Sequence, residues 1–345
     1  MGRGIARKSS KHNAHRTDER PGAKGMDSLN ERAWRVAEQA LAQADELRIR
    51  VHHSGTGARI VDCGIAVPGG WAAGLVLARV CLADLAQVHL YVDRLQDRLL
   101  PWVQVATDWP VEACMASQYA GWQIQVGTYF AMGSGPMRAL ARREPLFERL
   151  HWQERSDCAV GVLETGKLPD DAVIAYLCER LQVPASRLLV LAAPTRSIAG
   201  MMQVVARSVE TALHKLLELG FDLARVRSAL GRAPVPPSAK DDFQAIGRSN
   251  DAILYGAEVI LYTDAAEETI EQLGPKVPAA VSRDFGQPFA EILARYHGDF
   301  YRIDPLLFSP AQVQFVHSTS GRSWLFGRRE WTVLAHSFFG SERGP

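Results

Sequence analysis

Residues 188–219 read LLVLAAPTRSIAGMMQVVARSVETALHKLLEL. Leu188 to Ala193 is an unbroken apolar run stopped by Pro194, the pattern of a buried strand, and Ser197 stands where a helix N-cap belongs. Ile198, Met202, Val205, Val209, Leu213 and Leu216 then recur at spacings of three and four, which predicts one long helix with an apolar stripe. The other face carries Gln203, Arg207, Glu210 and His214 at the same spacings, so an amide, a guanidinium, a carboxylate and an imidazole share one narrow strip. On spacing alone, such an Arg and Glu are ordinarily a solvated pair contributing about 0.3–0.5 kcal/mol, and His214 reads as an ordinary polar-face residue.

Working outward, Ser28 and Glu31 form a capping box for a helix beginning at Leu29. Strands at 48–53 and 59–67 flank the turn Ser54-Gly55-Thr56-Gly57. A helix over 71–82, strands at 86–92, 102–106 and 123–126, and a helix over 111–119 follow. The charged stretch from Arg142 to Arg155 marks a boundary, beyond which 158–163 is strand-like and 169–181 helical. After the central stretch, 221–230 reads as helical, and 231–237, with three prolines in seven positions, as irregular. A strand at 252–262, a helix at 288–296 and strands at 313–317, 323–327 and 331–335 complete the chain. The sum is a mixed α/β (α+β) fold of two domains, 27–150 and 151–345, the second carrying the Arg207/Glu210 helix.

With 345 residues, 47% of them hydrophobic and 22% charged, the chain can bury a substantial core. Seven of the 39 basic and two of the 38 acidic residues fall in the first 25, leaving +5 on this tail and −4 on the remainder. A basic tail over 1–26 without apolar periodicity is expected to be disordered, with Met26 an alternative start. The acidic remainder lacks the basic stripe that nucleic-acid binding requires. No apolar run is long enough to span a bilayer and no signal-peptide pattern opens the sequence, so the cytoplasm is the expected location. The five scattered cysteines, without a C-x-x-C pair, are expected to be reduced.

The ten histidines show no metal spacing and no G-x-S-x-G elbow occurs, which leaves acid–base chemistry. The turn Gly133-Ser134-Gly135-Pro136 lets backbone N–H groups approach a ligand beside a helix N-terminus, but it lacks the features of a P-loop or a dinucleotide fingerprint. Asp62-Cys63-Gly64, the run from Ala113 to Trp122, the run from Tyr129 to Pro136, Ala193 to Gly200, Asn250-Asp251 and Ile303 to Ala311 stand in an order that resembles the methenyltetrahydromethanopterin cyclohydrolase family. The resemblance extends from about Leu29 to about Phe338.

That resemblance implies hydrolysis of 5,10-methenyl-tetrahydromethanopterin to the 5-formyl form, a one-carbon step needing no metal and no redox cofactor. It implies a subunit of two α/β-type domains with the substrate in the cleft between them, assembled as a homo-oligomer, trimeric in the familiar members, with Arg207 and Glu210 at the family's catalytic positions. Gln118, Tyr119, Ser134, Gly135, Asn250 and Asp251 lie in the shared motifs and are candidates to hold the pterin, Asp251 opposite its guanidine-like edge. Phe130 and Trp122 are candidates to stack on the ring, although a buried aromatic is more often core. The substrate is an amidinium whose central carbon takes up water, so Glu210 is expected to act as general base. Burial should raise its pKa, and Arg207 should orient it and keep it ionised. The competing expectations are a pterin-binding accessory protein without turnover and, more distantly, a tail that touches nucleic acid.

Overall fold

A computed structural model describes residues 27–340. The expected disordered basic tail lies outside the described residues. Twelve strands among these residues form two six-stranded sheets. In chain order they are β1 (Arg50–His53), β2 (Arg59–Asp62), β3 (Gln87–Leu95), β4 (Arg98–Thr107), β5 (Trp122–Val126) and β6 (Tyr129–Ser134). They continue with β7 (Ala159–Glu164), β8 (Leu188–Ala193), β9 (Val226–Pro234), β10 (Glu258–Thr263), β11 (Gln312–His317) and β12 (Ser323–Gly327). The first sheet runs β1-β2-β8-β7-β6-β5 and the second β12-β11-β10-β9-β4-β3. With eleven α-helices among the described residues, this is an α+β fold.

β8 lies inside the first sheet, parallel to both β2 and β7, and none of its residues is more than 2% exposed. A strand covered on both faces reads as a continuous apolar run. Its alternation sorts the core: Leu189, Leu191 and Ala193 pack with the helices Leu29–Leu41 and Trp71–Cys81. Leu188, Val190 and Ala192 pack with the helix Asp171–Leu181 on the other face.

The second sheet carries the helix Ser208–Glu218, whose Val209, Leu213 and Leu216 are fully buried in the largest core. Gly231 on β9 permits this close approach, because a Cβ there would stand 2.5 Å from Ser208 Oγ and 2.8 Å from Val209 Cγ2. No helix among the described residues is long and apolar enough to cross a membrane.

Each sheet takes strands from both sides of residue 150: the β3–β4 hairpin leaves the first sheet's run of sequence and pairs with β9. Several expectations of secondary structure need correction. Residues 221–230 are not one helix but a 3-10 turn at Leu223–Arg225 leading into β9, and 231–234 are not irregular; Ala229, Gly231 and Ala233 alternate toward the helix, and Pro234 pairs with Trp102 at the strand end. Residues 331–335 belong to the helix Trp331–Phe339, which buries Leu334 and Phe338 four residues apart. The long helix of 198–219 is two helices, Ile198–Val205 and Ser208–Glu218, parted at Ala206 and Arg207.

Candidate active site

The break between those two helices frames the candidate site. Ser197 caps the first helix by accepting from Gly200 N (3.0 Å), as its position in the sequence foretold. At Ala206 and Arg207 ψ opens to 4° and 13°, and Arg207 N reaches back only to Val204 O (3.2 Å). Gln118 Nε2 donates to the Ala206 carbonyl (3.1 Å), so a side chain from another element satisfies a carbonyl at the break. Gln118 ends the π-helical segment Val111–Gln118, closed by Tyr119 N donating to Cys114 O (2.9 Å).

Arg207 stands at the joint and is 7% exposed. Its Nη2 donates to Gln203 Oε1 (2.9 Å), one turn back on the first helix. Glu210, one turn on, is 5% exposed. Burial pushes its carboxyl up to about 7, against the lowering influence of the Arg207 and Arg138 guanidinium groups. The strip expected to face water or a cleft is thus enclosed in protein. A groove of about 180 Å³ lies where Trp71, Ile198 and Met201 meet Pro101, Val235 and Pro236, and a shallower one of about 590 Å³ near Trp109 and Tyr262; neither is lined by Arg207 or Glu210.

Several candidates converge on the pair. Ser134 Oγ lies 3.3 Å from Cys81 Sγ, which in turn lies 3.9 Å from Gln203 Oε1, the acceptor of Arg207. Gly135 follows with φ +86°, which explains a glycine at this turn without invoking a ligand. Tyr119 stacks on His214, ring centroids 5.0 Å apart and planes 17° apart. Burial first and Glu210 second push its phenol up to about 12, and burial holds His214 below the usual imidazole range. His214 is therefore part of this cluster, not the ordinary surface residue that its position on the strip indicated. Two polar atoms of the cluster, Arg207 Nε and Gln118 Oε1, are buried with no hydrogen-bond partner among the described residues.

Asn250 and Asp251 are used differently. Asn250 Nδ2 donates to Ile246 O (2.8 Å) within its own helix. Asp251 accepts from Phe289 N (2.8 Å) and Ser337 Oγ (2.5 Å), tying three helices together, and none of these contacts reaches Arg207 or Glu210. Burial pushes Asp251 up to about 7. Trp122 is core, and Phe130 is exposed. Asp62 gathers the N–H groups of Gly64, Ile65 and Ala66 at 2.7–2.9 Å and shapes the turn after β2.

Sequence reading missed Arg138, a completely buried guanidinium on the short helix Met137–Ala141. Its partners lie outside its own helix and it falls just beyond the run from Tyr129 to Pro136, so no sequence signal pointed to it.

A buried carboxylate thus stands one helical turn from a buried guanidinium, and comparison with known proteins places the chain among the hydrolases. Residues 28–338 match the model of the family described as Cyclohydrolase (MCH). A methenyltetrahydromethanopterin cyclohydrolase of Rhodopirellula baltica is 50% identical over 288 residues, covering 82% of this chain and 86% of that protein. The protein of that name from Methanococcoides burtonii is 39% identical over 316 residues, 91% of this chain and 98% of the relative. One from Xanthobacter autotrophicus is 41% identical over 308 residues, 88% and 90%. The chain belongs to the methenyltetrahydromethanopterin cyclohydrolase family.

Proposed function

We propose that this chain hydrolyses the methenyl bridge of a 5,10-methenyl-tetrahydromethanopterin-type substrate to the 5-formyl form, with Glu210 as general base and Arg207 orienting it. The names of the relatives supply the substrate. The observation that carries the chemistry is the enclosed Glu210 carboxyl, pushed up to about 7 beside two guanidinium groups. A base works best when its pKa lies near the working pH, where enough of it is ionised and it still accepts a proton readily.

The substrate's N–CH=N⁺ carbon is already electrophilic, so water needs only its proton removed as it attacks, and no metal or redox cofactor enters the scheme. One proton of the water passes to Glu210 and then to the departing nitrogen as its C–N bond breaks, and the remaining hydroxyl proton is released to solvent as the formyl C=O forms. Arg207, fixed through Gln203, keeps the carboxylate ionised, and its buried, unpaired Nε remains for the reacting groups. Ser134, Tyr119 and the free Gln118 Oε1 are the proposed substrate contacts nearest this pair. For Asn250 and Asp251 the packing contacts favour a structural role over the pterin contact. The reading brings with it a place in one-carbon metabolism, a cytoplasmic setting and a homotrimer or other homo-oligomer whose subunits each present a cleft between their two domains.

The test follows loss of the methenyl pterin's near-UV absorbance. Glu210→Gln should lower kcat on the order of 10²–10⁴-fold while changing KM little. Turnover at the unsubstituted rate would remove Glu210 from the chemistry, and ligand bound but not hydrolysed by the native chain would favour an accessory binding protein.

A further inference from the structure

Arg138 is 0% exposed, and burying a cation is costly unless its donors are satisfied. They are used here in a particular way. Its Nη1 donates to the Ser117 carbonyl (3.1 Å) and its Nε to Glu144 Oε1 (3.1 Å), while Nη2 donates to Glu144 Oε2. The guanidinium carbon lies 5.0 Å from the centroid of the Tyr119 ring and 5.3 Å from that of Phe147. Ser117 precedes Gln118, which holds the Ala206 carbonyl at the helix break, and Tyr119, which stacks on His214 one turn beyond Glu210. One guanidinium therefore grips the turn that touches the broken helix on both sides of Glu210.

We propose that Arg138, clamped by Glu144, is a positioning residue for Glu210: it locks the Ser117–Tyr119 turn against the broken helix and sets a second positive charge against the carboxylate. This rests on the reading of Glu210 as the base. The charged groups that act on Glu210 are Arg207 and Arg138, and the neutral groups that feel its charge in turn are Cys114 and Tyr119. Arg207 belongs to its own helix joint, Arg138 to Met137–Ala141, and Cys114 and Tyr119 to the π-helical segment and its end. From the strands beneath, Arg232 alternates to the far face, where it pairs with Glu258 and Asp93, and Arg227 pairs with Asp264.

The two members of the clamp make opposite predictions. Removing the cation in Arg138→Gln raises the cost of ionising Glu210, so the acid limb of the kcat profile should move to higher pH by about one unit. The loosened turn should also lower kcat by roughly 10–100-fold with KM changed only a few-fold. Arg138→Lys keeps the charge and should restore the limb, but not the full kcat, because an ammonium cannot reproduce the planar fork. Glu144→Gln removes the anion that offsets Arg138, and should move the limb to lower pH.

The experiment measures pH–rate profiles of the full chain with the methenyl pterin for these three variants and Glu210→Gln. Opposite displacements for Arg138→Gln and Glu144→Gln support the inference, since a merely structural role would not reverse sign. If Arg138→Gln does not fold, Arg138→Lys with reduced kcat on an unmoved limb, together with the downward shift in Glu144→Gln, supports it equally. Native kcat and limb in the variants that fold, with Glu210→Gln inactive, overturn this inference alone. Native turnover in Glu210→Gln overturns the reading of the base as well.

Discussion

Glu210, the proposed base, is held in a state that opposes folding. Its carboxyl is raised from 4.5 to about 7 chiefly by burial, so the folded chain binds a proton more tightly than the unfolded chain. Below the unfolded value both states are protonated and nothing is lost; between there and about 7 the folded state is progressively penalised, and above that the cost is complete. The shift corresponds to a penalty on the order of 3 kcal/mol at high pH. Glu210→Gln should therefore raise the melting temperature above pH 7, with the gain fading as pH falls toward 4.5, as thermal unfolding across that range would show. Loss of stability in the variant at high pH would contradict this account. At this scale the sequence was informative about Arg207 and Glu210, because a spacing of three places them on one helical face. It was silent on Arg138, whose partners Ser117, Tyr119 and Glu144 are brought together only by tertiary packing.

Between elements, the decisive object is the joint at Ala206 and Arg207. Neither glycine nor proline marks it, and the apolar stripe from Met202 to Leu216 continues through it, so periodicity alone reads one helix. The break is held from outside, by Gln118 on the Ala206 carbonyl. Gln118→Ala should cost about 1–3 kcal/mol by leaving that carbonyl unpaired. It should also lower kcat, since Arg207 sits next in the chain; chemical denaturation and kinetics on one preparation would test both. A variant stable and active as the native chain would mean that the joint holds itself. The same limit explains the misread ends. Pro234 and the alternation before it are compatible with a strand end, but Pro236 and Pro237 dominate a local reading. In Trp331–Phe339 the β-branched and aromatic residues mimic a strand until Phe338 is counted with Leu334.

At the scale of the molecule, the α+β class was legible because strand runs and helical periods are local signals, whereas the sorting of strands into sheets is not. A cut at 150 respects the charged stretch around Arg142–Arg155 but leaves β8 out of the first sheet and β9 out of the second. A fragment of residues 27–187 should consequently show no cooperative unfolding transition by far-UV circular dichroism; a sharp transition would indicate that β2 and β7 manage without their partner. The order of the first sheet has a biosynthetic consequence. β1, β2, β5, β6 and β7 all leave the ribosome before β8, which must then slot between β2 and β7. Until it arrives, two backbone edges lie open to neighbouring nascent chains. The stretch that leads to the proposed base is thus the closing piece of assembly, and a cell making this protein quickly would depend on chaperones to guard that gap.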